Sequence, residues 1–171
     1  MKKTIIVIAL IGVLVLAGCS SKKSDGASNG KNDDLVVTAS PSTAGGFGAP
    51  VTVGAGITVT ISKPSTFTPG TFASNYLPGQ VANVFTVLLK NGTTAPLDPA
   101  TISIVASSGE NTCSDVLDGD NGVSGTPTDP IAAGSDANFK FAIGCDAKSG
   151  APLHIDITIG SETSSIAGKL A

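Results

Sequence analysis

From Val51 onward the apolar residues recur at every second position, and this alternation restricts the chain to extended strands with one buried face. Ile57, Val59 and Ile61 fall on one side, with Thr58, Thr60 and Ser62 on the other. Lys63-Pro64 then stops the run, because proline has no amide to donate to a ladder. Phe85, Val87 and Leu89 repeat the pattern and lead into Asn91-Gly92, which reads as a turn pair suited to positive φ. Ile102 and Ile104, then Phe139, Phe141 and Ile143, then Ile155, Ile157 and Ile159 give three further faces. No ten-residue window after Cys19 carries a helical stripe.

Turn clusters of Gly, Pro, Asn and Asp separate these runs, so roughly six to eight short strands are expected in about 120 residues. That pattern predicts an all-β fold, an immunoglobulin-like two-sheet antiparallel sandwich, with a closed barrel as the alternative. There is no Trp and one Tyr, Tyr76, so the core is expected to be aliphatic, with Phe67, Phe72, Phe85, Phe139 and Phe141 as its larger pieces.

The first residues read MKKTIIVIALIGVLVLAGC. Lys2 and Lys3 form a basic start, Ile5 to Ala17 an unbroken apolar run, and Leu16-Ala17-Gly18-Cys19 a small-residue cleavage site ending on cysteine. The run is shorter than the roughly 20 apolar residues a spanning helix needs, and no stop-transfer pattern follows it. Leu16 to Cys19 resembles the lipobox of bacterial lipoproteins. The resemblance implies cleavage before Cys19 and a diacylglycerol on its sulfur, with residues 1–18 as signal peptide. Two acyl chains make such anchoring stable, whereas one chain binds only marginally. An ordinary secretory signal with an incidental cysteine is the alternative.

Residues 20 to 34, SSKKSDGASNGKNDD, have one alanine as their only apolar residue and can bury nothing. A short apolar stretch at residues 35–39 follows and is left open as an edge strand. PSTAGGFGAP, from Pro41 to Pro50, is then expected to break regular structure. Residues 19–49 therefore read as the lipidated cysteine and a flexible tether, with an end-to-end distance near 30 Å, and residues 50–171 as the domain. Removing residues 1–18 takes away two of the ten basic residues and moves the net charge from −3 to about −5, with no arginine present. Nucleic-acid binding is disfavoured, since it draws its affinity from Lys and Arg on phosphates.

With Cys19 lipidated, Cys113 and Cys145 remain as an even pair in an oxidising compartment, where a disulfide forms and persists. Cys145 shares the inward register of Phe139, Phe141 and Ile143 if that strand reaches it. The facing of Cys113 is set by no periodic run. Metal ligation by the pair is disfavoured, because no CxxC spacing or nearby His completes a tetrahedral set.

The densest acidic patch is Asp115, Asp118, Asp120 and Asn121, and hard cations such as Ca²⁺ want several oxygens at such spacing. An EF-hand loop needs Gly at its sixth position and Glu at its twelfth, where counting from Asp118 finds Val123 and Asp129. The residues thus read as an acidic turn, or at most a weak cation site, and no metal or cofactor is expected. His154, the one histidine, lies on the opposite strand face from Ile155, Ile157 and Ile159, beside Asp156. Side chains two apart on one strand face project in parallel, which does not build a catalytic triad, and no G-x-S-x-G elbow is present. Asn91-Gly92-Thr93 matches the glycosylation sequon but reads as a turn.

Taken in order, Ile57 to Pro69, Phe85 to Pro99, Val116 to Thr126 and Ile131 to Phe141 resemble the immunoglobulin-like domain of unknown function in lipoproteins of actinobacteria and other Gram-positive bacteria. The resemblance implies a β-sandwich and brings no catalytic residues, and the cysteine pair looks like an addition found in part of that group. The expected protein is non-enzymatic and lipid-anchored to the outer face of the cell membrane, presenting loops or a sheet edge to a protein or cell-envelope partner. The alternative is a small-ligand or weak Ca²⁺ accessory module of an envelope or transport assembly.

Overall fold

The computed structural model describes residues 45–171. Cys19, the stretch at residues 35–39 and most of the expected tether lie outside the described residues.

Eleven strands form two sheets. The strands are β1 (Gly45–Gly46), β2 (Pro50–Thr52), β3 (Ile57–Ile61), β4 (Ser65–Thr66), β5 (Val81–Asn91), β6 (Ile102–Ser108), β7 (Asn111–Thr112), β8 (Ser114–Val116), β9 (Asp136–Cys145), β10 (Pro152–Ile159) and β11 (Glu162–Lys169). One sheet runs β1-β11-β10-β6-β7, and the other runs β2-β3-β5-β9-β8 with β4 also on β5. All pairings are antiparallel except β1 beside β11. The architecture is an immunoglobulin-like β-sandwich, and no α-helix occurs among the described residues.

The alternation read from the sequence sets both inner faces. On β3, Ile57, Val59 and Ile61 point inward; on β5, Phe85, Val87 and Leu89 do so. Facing them from the other sheet are Ile104, Ile155, Ile157 and Ile166. Phe141 and Ile143 of β9 complete the centre, and Cys145 keeps their register and is fully buried. Each such apolar side chain contributes roughly 1.5–3 kcal/mol when fully withdrawn from water.

Strand pairing already occurs before residue 50, since Gly45 and Gly46 pair with Ile166 and Ala167 of β11. Phe47 then stacks on Phe85 with ring centroids 5.6 Å apart. A Cβ on Gly168 would meet the Phe47 ring at 2.5 Å, so the ring's seat exists because residue 168 has no side chain. Phe72, expected in the core, is 85% exposed. Phe67 packs into a second, smaller cluster with Val116, Val123, Ala142 and Tyr76, outside the main core.

Gly92 also differs from expectation. Its φ is not positive; its N–H donates to the Gly56 carbonyl at 2.8 Å, and a Cβ there would lie 2.6 Å from that oxygen. Close backbone approach, not turn handedness, requires the glycine.

Candidate functional site

The two-residue turn Gly109-Glu110 joins β6 to β7 and sets a register in which Ser108 faces Asn111 and Ser107 faces Thr112. The ladder persists one step further, where the Cys113 N–H donates to the Ala106 carbonyl at 2.9 Å. Two more steps would place Asp115 opposite Ile104. The chain instead crosses to the other sheet, where Ser114, Asp115 and Val116 pair with Gly144, Ile143 and Ala142 of β9. A disulfide between Cys113 and Cys145, with Cα atoms 4.4 Å apart, ties the crossing point to the end of β9.

Beyond that tie, β6 and β8 diverge as edge strands of different sheets and leave a cleft of about 350 Å³. Ile102, Ile104, Val116 and Phe141 supply its apolar walls, and Asn75, Ser124 and Thr126 lie along its rim. Asn75 has φ 63°, the one positive φ outside glycine among the described residues, a conformation that asparagine tolerates better than most side chains.

Asp115 also lines the cleft. It occupies the inward register of β8, opposite Ile143, although the residue keeps an exposed side. Partial burial raises its carboxyl above the ordinary carboxylate value. Among the described residues no lysine or histidine lines the cleft. The one lysine–carboxylate pair among the described residues is elsewhere, Lys90 with Asp136 at 3.7 Å.

Asp118 has a different task. It is 2% exposed, and its Oδ2 accepts the Gly70 N–H at 2.7 Å and the Asn121 side-chain amide at 2.8 Å. Oδ1 accepts the Asn121 backbone N–H at 3.3 Å, which caps the short 3₁₀ turn Gly119–Asn121. The Gly70 N–H, and after it the Asn121 amide, hold the Asp118 carboxyl below its ordinary value. Its oxygens are thus committed to donors inside the protein. Asp120 is exposed on the turn, and Asp115 faces the cleft. The structure does not bring Asp115, Asp118, Asp120 and Asn121 together as one ligand set, and among the described residues no three His, Cys, Asp or Glu gather around a common point.

The Asp118 link fastens the loop after β4 to the loop after β8, and Ser74 and Leu117 reinforce it with mutual backbone hydrogen bonds of 2.8 and 3.2 Å. These fastened loops carry the largest exposed apolar side chains: Phe72, Leu77 at 64% and Leu117 at 41% exposure. Nothing in the sequence separates Phe72 from the core phenylalanines, since it lies outside any periodic run.

His154 Nε2 lies 3.0 Å from Asp156 Oδ1, and the Ser165 hydroxyl donates to that same oxygen at 2.6 Å. The carboxylate is the hub. A nucleophilic serine must instead be hydrogen-bonded to the imidazole, so this trio is not a triad. Asn91, read as a turn residue, is buried and organises a loop. Its Nδ2 donates to the carbonyls of Ala95, Ile131 and Ala132, and its Oδ1 accepts from the Thr93 N–H and hydroxyl.

By sequence, the chain matches no family model and no curated protein. By structure it is similar to a candidate lipoprotein from Bacillus subtilis subsp. subtilis str. 168, with a TM-score of 0.55 and 16% identity over 66% of this chain. This chain spans 36% of that protein's length. An uncharacterised β-sandwich protein from Clostridium difficile 630 aligns with a TM-score of 0.46 and 16% identity, covering 73% of this chain and 91% of that one. A FixG-related protein from Vibrio parahaemolyticus aligns at 0.44 and 12%, covering 67% and 94%. At 16% identity the likeness to the first of these speaks for the fold alone.

Proposed function

We propose that this chain is a non-enzymatic, lipid-anchored protein of the outer face of the cell membrane that presents one end of its sandwich to a protein partner. The observation carrying this reading is that two loops fastened through Asp118 carry the exposed Phe72, Leu77 and Leu117, the last of which also lines the cleft between β6 and β8. Fastened loops lose little conformational freedom on docking, and exposed aromatic and aliphatic side chains are the usual anchors of an interface. Leu16 to Cys19 and the polar tract after it support the anchor and the distance from the membrane. The structural likeness to a candidate lipoprotein from Bacillus subtilis supports the same compartment.

The test is crosslinking in intact cells with the wild type, with a Phe72→Ser/Leu77→Ser double variant, and with Cys19→Ala. A discrete crosslinked protein lost with the double variant, at unchanged thermal midpoint, is the expected result. Crosslinks that ignore Phe72 and Leu77 would remove this end of the sandwich from the reading. Cys19→Ala protein that stays with the membrane after cleavage of the signal would remove the anchor.

A further inference from the structure

We propose that the cleft between β6 and β8 takes an extended segment of a partner protein, added as a strand along β6, with a lysine or arginine side chain of that segment reaching Asp115. This inference rests on the partner-presenting role proposed above and names the chemistry of the contact.

Three features of the structure support it. The first is the open edge. In the β6–β7 ladder Ala106 and Ser108 turn their backbone groups toward β7, so by alternation Ile104 turns its N–H and carbonyl the same way. β7 ends at Thr112, and no strand among the described residues pairs with Ile102–Val105 on that side. An added strand would complete the ladder that the crossing at Cys113 interrupts.

The second feature is the wall of the cleft. Ile102, Ile104 and Phe141 form an apolar surface against which the aliphatic stem of a lysine or arginine packs while its charged head stays at the rim. The third is charge: Asp115 sits in an inward register on an edge strand with no cation among the described residues lining the cleft beside it, and partial burial disfavours its charged form. The neighbouring depression past Thr126 adds Asp129 and again no basic residue. An inward carboxylate on an edge also discourages identical chains from pairing, since two copies would set acid against acid. Charge complementarity therefore selects a cationic partner over a second copy of this chain.

The experiment uses the full chain, isotopically labelled at its amides, titrated with a capped peptide of about eight residues alternating valine and lysine, the length of an ordinary strand. Two control peptides carry acetylated lysines or glutamate in place of lysine. Saturable shifts confined to Ile102–Ala106 and to the Asp115 region are expected. Lysine acetylation, Asp115→Asn, or Ser124→Lys, which supplies a cation in cis, should each weaken binding about tenfold, the loss of one charge-assisted contact. Asp115→Asn should also leave the free protein's thermal midpoint unchanged or raised, which separates lost recognition from lost folding. The inference is overturned by equal binding of the glutamate peptide, by indifference to Asp115→Asn, by shifts at β2 or β11 instead, or by no binding. Loss of crosslinks in the Phe72→Ser/Leu77→Ser variant would then still stand for the broader role, so the two readings fail separately.

Discussion

The Gly70 N–H donates to Asp118 Oδ2 at 2.7 Å, joining residues 48 positions apart through a carboxylate that is 2% exposed. Because that bond favours the charged form, the folded-state carboxyl lies below its ordinary value. Its stabilisation is fully present above the unfolded carboxylate range, about 3.9, and is lost as pH falls through the lower folded value. Asp118→Asn is expected to lower the thermal midpoint at neutral pH, and the gap from wild type should narrow as pH falls below the ordinary carboxylate range. A gap that widens on acidification would contradict the assignment.

Phe47 shows where the alternation stops being informative. Strand faces such as Ile155-Ile157-Ile159 are legible because a half-buried strand must repeat at period two. Phe47 lies in Gly-Gly-Phe-Gly, which has no period, and its burial depends on a seat left by Gly168 more than a hundred residues away. Phe47→Ala should cost about 2 kcal/mol, less than a fully buried phenylalanine because the ring is only half covered. A chain beginning at Val51 should lose at least as much relative to one beginning at Gly45, read from urea midpoints. Equal midpoints would keep the boundary at residue 50.

The cleft was not legible for a related reason. β8 and β11 are short or rich in serine and threonine, with inward positions held by residues such as Ser164, so periodicity marks neither of them. The change of sheet at Cys113 is a tertiary event with no local signature. Asp115 and Asp118 stand three apart in one acidic run, yet one faces the cleft and the other is consumed by Gly70 and Asn121. Only the pairing of β8 with β9 separates them.

The disulfide closes a loop between residues 32 apart, from the sheet crossing to the end of β9. Removing that constraint is expected to cost about 3–4 kcal/mol in the chain-entropy picture, a midpoint drop on the order of 10 °C for a domain of this size. The sandwich should survive, since the bridge is a small part of a main core built chiefly from aliphatic strand faces. Thermal melts with and without reductant check the drop. Two free thiols in unreduced, denatured protein would refute the bridge.

Asn91 provides the sharpest test of a residue whose role the local sequence conceals. Its Nδ2 faces the carbonyls of Ala95, Ile131 and Ala132 at 2.9, 2.9 and 3.2 Å, so any replacement lacking that donor removes the ties that hold these loop segments together, although each carbonyl keeps one other donor. Asn91→Ala should cost about 3 kcal/mol. Asn91→Asp keeps the shape and the acceptor for Thr93 but turns an anionic oxygen toward the three carbonyls, so the folded state favours the protonated acid. A carboxyl raised in this way makes the variant bind more protons folded than unfolded, and its deficit from wild type should therefore shrink as pH falls from 8 toward about 4. Unfolding midpoints of wild type, Asn91→Ala and Asn91→Asp across that range decide the matter. A deficit for Asn91→Asp that is independent of pH, or that grows on acidification, would show that the amide does not face those carbonyls.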